Sequence, residues 1–444
     1  MQNNLTQGSV FRNLIRFSLP YLLSCFLQTF YGLADLFIAG QFNGADTITA
    51  VSMGSQVTHM LTLVVSGLAM GATVTISRAV GAGDQRMKDR AIANTVLLFA
   101  GVAVFLTAML LAAANPILKL LSTPDEAFGE ARMYLLICFA GVPFITAYNV
   151  ISSIFRGLGD SKSPMYFVAI AGIINVFLDY LLIGPGQMGA AGAALATVIA
   201  QAVSVAIALF AVIKRKSGIS LKRQDFRPDR KVLGAILRVG SPVAVQDGFV
   251  QIGFLVITVI ANRRGVDVAA AVGIVEKIIS FLFLVPSAML STVSAIAAQN
   301  AGAGLHRRSR QALLYGTAIA VTAGLIFFVA FQFCGEAVVS LFAKDEPAVI
   351  AYGTQYLHSY VLDCVFAGIH FCFSGYFCAY EKSMISFAHN LASILLVRIP
   401  GAYLASIYYP DNLFPMGLAA PMGSLLSAII CIIVFIIIKR RTHP

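Results

Sequence analysis

Long apolar runs separated by short polar clusters recur from one end of the chain to the other. A helix rises about 1.5 Å per residue, so about 20 apolar residues in a row cross the hydrocarbon of a bilayer. Setting the runs against the polar breaks predicts twelve such helices, at 13–38, 47–77, 91–114, 131–155, 165–183, 189–213, 233–261, 268–298, 311–333, 348–379, 384–409 and 416–438. The expected fold class is an all-α membrane protein, with twelve transmembrane helices in two pseudo-symmetric six-helix bundles.

Composition agrees with that reading. Of 444 residues, 58% are hydrophobic and only 11% charged, so the solvent this chain expects is lipid, and a soluble fold is excluded. The net charge of +11 follows from topology. With both termini inside, most of the basic residues fall on the inner side, including "KRKSGISLKRQDFRPDRK" at 214–231, "HRRSR" at 306–310 and the final "KRR". The outer breaks "QFNGAD", "GPGQ" and "YPDN" are poor in them, as the positive-inside rule requires. The charge then serves orientation and attraction to anionic lipid, not nucleic acid. The first apolar run exceeds a signal-peptide core and lacks a small-residue cleavage site, so it reads as a retained helix of an inner or plasma membrane protein with cytoplasmic termini. The seven cysteines lie mostly within apolar runs, without a Cys-x-x-Cys pair, and read as small core residues. No cofactor is expected.

The basic segment at 214–231 divides the chain near its middle, predicting lobes at 1–213 and 232–444 joined by a cytoplasmic linker. Internal likeness supports a duplication. "SRAVGAGDQRMKDR" at 77–90 matches "AAQNAGAGLHRRSR" at 297–310, and a shift of about 220 also pairs "TPDEA" with "KDEPA", "DSKSP" with "YEKSM", and Pro20 with Pro242. Six spans per copy is an even number, so both copies enter the membrane in the same direction, the parallel-repeat plan of a transporter.

A carboxylate at the centre of a spanning helix costs about 2.5–3.5 kcal/mol, so each acid inside a predicted span demands a role. Five qualify: Asp35, Asp179, Asp247, Glu276 and Asp363. In the first span Gln28, Tyr31 and Asp35 sit at i, i+3 and i+7, on one face; in the fifth, Asn175 and Asp179 at i and i+4 share another. Thr197 in the sixth span adds a hydroxyl to the same chamber. Plainer readings stand beside these. Gln28 and Asn175 suit interhelical hydrogen bonds, Thr197 a bond to its own helix, and Tyr31 packing. In the second half Asp247, Asp363 and the Glu276–Lys277 neighbours are candidates for a further site, with Arg398 a partner for one of the acids. The six histidines are scattered and read as satisfied helix residues. Gly67 and Gly71 have the spacing of close helix packing, and Pro20 that of a hinge.

The stretches "LPYLLSCFLQTFYGLADLFIAG", "GLAMGATVTISRAVGAGD", "IFRGLGDSKSPMYFVAIAGIINVFLDYLLI" and "RIPGAYL" together resemble the MATE (multidrug and toxic compound extrusion) transporters over nearly the whole chain. The resemblance implies two six-helix lobes and export of organic cations or amphipathic drugs, driven by inward Na+ or H+. It implies an amino-terminal site at Gln28, Tyr31, Asp35, Asn175, Asp179 and Thr197, with Asp35, Asn175 and Asp179 able to hold Na+. NorM-like members carry a seventh-span Glu and a tenth-span Asp; Asp363 fits the second, while Asp247 has no clear positional match, and the amino-terminal acids favour a DinF-like reading. A monomer within lipid is expected. The runner-up is a lipid-linked oligosaccharide flippase, which calls for several cavity Arg or Lys where only Lys277 and Arg398 fall inside spans. An enzyme is not expected, since no His-Glu-x-x-His, Gly-x-Ser-x-Gly or P-loop pattern occurs.

Overall fold

The structure is a computed structural model and describes residues 4–121, 123–214, 221–343 and 346–442. Positions 215–220 of the basic linker, and Lys344 and Asp345 of "KDEPA", lie outside the described residues. The described chain is helical throughout: α1 (Val10–Phe42), α2 (Ala45–Gly81), α3 (Gln85–Leu120), α4 (Asp125–Ala140), α5 (Val142–Gly157), α6 (Lys162–Ile183), α7 (Gly189–Lys214), α8 (Arg230–Asn262), α9 (Val266–Leu282), α10 (Leu284–Gly302), α11 (His306–Ser340), α12 (Pro347–Tyr360), α13 (Asp363–Ala379), α14 (Ser383–Ser393), α15 (Ile399–Tyr408) and α16 (Phe414–Thr442). Among the described residues ten stretches are long and apolar enough to cross a membrane, or twelve with each of two bent pairs taken as one span.

Those two pairs differ from the continuous helices predicted at 131–155 and 348–379. α4 and α5 meet at 48°, α12 and α13 at 41°. At the first break Gly141 is followed by Val142 and Pro143, whose ring nitrogen has no hydrogen to give the preceding turn. At the second, Cys364 N–H bonds to Val361 O and Val365 N–H to Leu362 O, tight three-residue contacts that restart the helix at Asp363. A third irregularity joins α14 to α15. Ile394–Arg398 forms a π-helical turn, because Pro400 offers no N–H to the carbonyl four residues back.

The duplication reappears in the backbone. Gly83 and Gly304 both take positive φ, 69° and 73°, a region open to glycine without strain. Around them Asp84 N–H bonds to Ala79 O and Leu305 N–H to Asn300 O, the same closure 221 positions apart. The turn after α5, with Asp160 N–H to Phe155 O, likewise repeats after α13 as Lys382 N–H to Phe377 O.

The helices gather into two compact units, one of Met1–Leu5 and Leu19–Ala244, the other of Thr6–Ser18 and Val245–Pro444. The chain changes unit inside α1 and again inside α8, each time beside a proline, Pro20 or Pro242. In the second unit the start of α1 is fastened by Arg308, whose guanidinium donates to Gly8 O at 2.9 Å, and by Phe11 edge-on to Tyr315. In the first unit the start of α8 buries Val232 and Ile236 among Val65, Ile76 and Phe99.

Just before α8, buried Asn94 of α3 pins the linker: its Oδ1 accepts from Asp229 N–H at 2.8 Å, while its Nδ2 donates to Arg227 O and Asp225 O at 3.3 and 3.4 Å. Asn94→Leu removes all three bonds. Local opening is then easier by about 1.4 kcal/mol, so tryptic cleavage after Arg223 or Arg227 in membrane vesicles is expected to quicken about tenfold. An unchanged cleavage rate would show that the linker is held by other means.

Candidate ion-coupling site

The amino-terminal unit builds its polar centre from α1, α6 and α7. Gly172 of α6 packs against the Tyr31 ring of α1, and a Cβ there would lie 3.3 Å from it. That close approach sets the polar stripe Asn175/Asp179 beside the stripe Tyr31/Asp35. Asp35 is 3% exposed and Asp179 0%. Thr197 of α7 links the two helices: its hydroxyl donates to Asp35 Oδ2 at 3.4 Å and accepts from Asn175 Nδ2 at 3.5 Å. One turn on, Gln201 donates to Tyr31 OH at 3.4 Å.

Asp35 and Asp179 lie within each other's electrostatic range. An ionised carboxylate only accepts hydrogen bonds, so two of them cannot bond to each other without a proton or cation between. Asp35 Oδ1, Asn175 Oδ1 and both oxygens of Asp179 are buried without a hydrogen-bond partner. The donors are all oxygens, which suits a proton or a hard alkali ion. Among the described residues no three His, Cys, Asp or Glu side chains gather as a metal centre.

Five of the six amino-terminal residues singled out from sequence thus meet around one centre, with Asp179 and Asp35 at its heart. Gln28 lies farther along the same face of α1 and donates to Tyr148 OH of α5 at 3.5 Å. Tyr148 and Gln201 are not among the residues that the sequence singles out. Gln201 was findable, being four residues after Thr197; Tyr148 had no such signal. Tyr134 and Cys138 of α4 also come within electrostatic range of Asp35.

In the carboxy-terminal unit the candidates separate. Arg398, carried by the π-helical turn, lies over the Phe254 and Tyr360 rings at 4.8 and 5.6 Å and donates to Tyr360 OH. Asp363 and Glu276 are both within its electrostatic range. Asp363 is fully buried in the first turn of α13, where the helix dipole favours a negative charge. Both of its oxygens, and Glu276 Oε1, are without hydrogen-bond partners. Asp247 is not part of this group and neighbours Cys378 instead, while Lys277 is exposed, since adjacent residues on a helix point in different directions.

The MatE family model matches residues 20–181 and 242–404, one copy in each half. The chain belongs to the MatE family. Members of this family are membrane transporters, not enzymes. A probable multidrug resistance protein, YpnP of Bacillus subtilis, is 29% identical over 426 residues, covering 96% of this chain and 94% of that protein. The FAD transporter of Shewanella oneidensis is 26% identical, covering 97% and 95%. Among solved structures, the crystal structure of MATE in complex with MaL6 aligns with a TM-score of 0.92 at 23% identity, over 97% of this chain and 96% of that one, a likeness of fold. The flippase reading finds no support here: the MatE model covers both halves, and Arg398 lies within electrostatic range of the acids Asp363 and Glu276.

Proposed function

We propose that this MatE transporter is a secondary active antiporter that exports cationic or amphipathic small molecules in exchange for an inward-moving cation bound at Asp35 and Asp179. The observation that carries the reading is the facing pair of buried acids, whose unpartnered oxygens require one positive charge between them. A proton meets that requirement with least rearrangement, because one hydrogen bridges the two carboxylates and cancels their repulsion. A cationic substrate competes for the same charge, and linkage then requires each to expel the other. The names of relatives such as the multidrug resistance protein YpnP support drug-like cargo. On this reading the protein works as a monomer in the cell membrane with both termini cytoplasmic. Asp35, Asn175, Asp179 and Thr197 would supply the oxygens if the ion were Na+.

The test is efflux of ethidium from proteoliposomes under an imposed proton or sodium gradient, one at a time. Export driven by the proton gradient alone supports the reading as stated. Export driven only by sodium would keep the site and replace the ion, and export without either would overturn it.

Pro20 stands two residues beyond the point where α1 changes unit. A proline inside a helix lacks one hydrogen bond and bends readily, so it serves here as the hinge. Pro20→Ala restores that bond and is expected to slow ethidium export about tenfold while equilibrium binding changes less than twofold. Equal losses in both would assign Pro20 to the binding site instead.

A further inference from the structure

His370 and His389 lie inside spans of the carboxy-terminal unit, 5% and 1% exposed. Their rings meet edge to face with centroids 5.7 Å apart. Each keeps a buried Nδ1 without a hydrogen-bond partner, while His389 Nε2 faces Ser374 Oγ at 3.0 Å. A buried polar nitrogen left unpaired costs about 1–3 kcal/mol, and one on each of two neighbouring rings makes packing alone a poor explanation. The helix around them is also patterned. Asp363, His370 and Ser374 fall at i, i+7 and i+11, on a single stripe of α13. Across from it, Ser386 donates to Ser374 O and Ser427 to His389 O, so the backbone beside the pair is held by hydroxyls in an otherwise apolar span.

We propose that His370 and His389 share one proton and form a second proton-binding site of the transporter, in the carboxy-terminal unit. Arg398 is the cation within electrostatic range of His370, and its like charge limits the pair to one proton, not two. Of the other elements packed on α13, α10 offers neutral Ser291, Thr292 and Ser294; Arg310 of α11 faces Tyr376; buried Cys431 belongs to α16; and Asp247 of α8 faces Cys378 near the end of α13. Loading breaks an O–H bond of hydronium and forms an N–H bond on one imidazole; release reverses it, with no other reactant. The stripe starts at the bend where α13 begins and ends about a turn before Ala379. With the termini cytoplasmic, as proposed above, that end faces the cytoplasm, where the proton leaves. The inference rests on the antiporter reading for its role, but not for its chemistry.

The direct test is nitrogen-15 NMR of the full-length, histidine-labelled protein in lipid nanodiscs, titrated from about pH 5 to about pH 8.5, with His370→Gln and His389→Gln used for assignment. The expected result is one shared protonation step, with removal of either ring moving the midpoint of the other by at least about one pH unit. Two imidazoles that stay neutral in fixed tautomers throughout, or that titrate independently, would overturn the proposal. A transport arm separates it from the amino-terminal site. The His370→Gln/His389→Gln double variant is expected to export ethidium with one fewer proton moved per molecule; an unchanged ratio would overturn it. If Asp179→Asn left transport normal, the antiporter site would fall and the NMR result would still decide the histidine pair.

Discussion

Asp179→Asn is expected to cut ion-driven ethidium export by at least about a hundredfold, equivalent to about 2.7 kcal/mol, while the protein remains folded in the membrane. Asparagine keeps the shape of the side chain but replaces one acceptor with an amide donor. Donated to Asp35, that amide reproduces the proton-filled pair permanently, so the site has no proton to release and one negative charge fewer to offer a cationic substrate. Stability should move the other way. Asp179 is 0% exposed with both oxygens unpartnered, and removing a buried carboxylate relieves a cost of about 2.5–3.5 kcal/mol. Activity lost together with equal or higher thermal stability is the signature of a functional acid. Asp35→Asn is expected to behave alike, with a smaller gain in stability because Thr197 already bonds one of its oxygens. Normal export with normal ion dependence in either variant would remove the site from the mechanism.

The second large effect is structural. A Cβ at Gly71 would sit 2.0 Å from Ile236 O, and one at Gly240 would sit 2.2 Å from Leu68 O. These are backbone atoms, so no rotamer change relieves the overlap, and α2 and α8 must part. Helix association in lipid depends on such close packing, since lipid tails are as apolar as the side chains they would replace. Gly71→Ala or Gly240→Ala is expected to cost at least about 3 kcal/mol and to lower the melting temperature in detergent by about 6–12 °C. Gly101→Ala, where no atom lies within 4 Å, is the matched control and should melt as the parent does. A normal melting curve for Gly71→Ala would contradict the geometry.

Much of this architecture could be read from the chain because lipid leaves few options. Apolar length alone located the ten membrane-length helices and both bent pairs. The positions of Asn175 and Asp179 at i and i+4, and of Tyr31 and Asp35 likewise, identified the faces that meet, since a charge in hydrocarbon demands a reason. What escaped was chemistry without a charge or a spacing. Tyr148 is one tyrosine among many, and its part emerges only when α5 is laid against Gln28. The breaks at Gly141 and at Val361–Leu362 left the apolar runs unbroken, so hydropathy could not register them. His370 and His389 are 19 positions apart, and only the packing of α13 on α14 brings their rings together. The passage of α1 and α8 from one compact unit to the other is equally a property of packing, announced in sequence by no more than two prolines.

The central claim is that a substrate cation and a small coupling ion compete for the charge on Asp35 and Asp179. Calorimetric binding of tetraphenylphosphonium to the purified protein, repeated in buffers of different ionisation enthalpy and with and without sodium, measures that competition without a transport assay. The account predicts release of close to one proton per molecule bound in the wild type and none in Asp179→Asn. Binding with the same affinity at every pH and sodium concentration, and the same heat in every buffer, would contradict it.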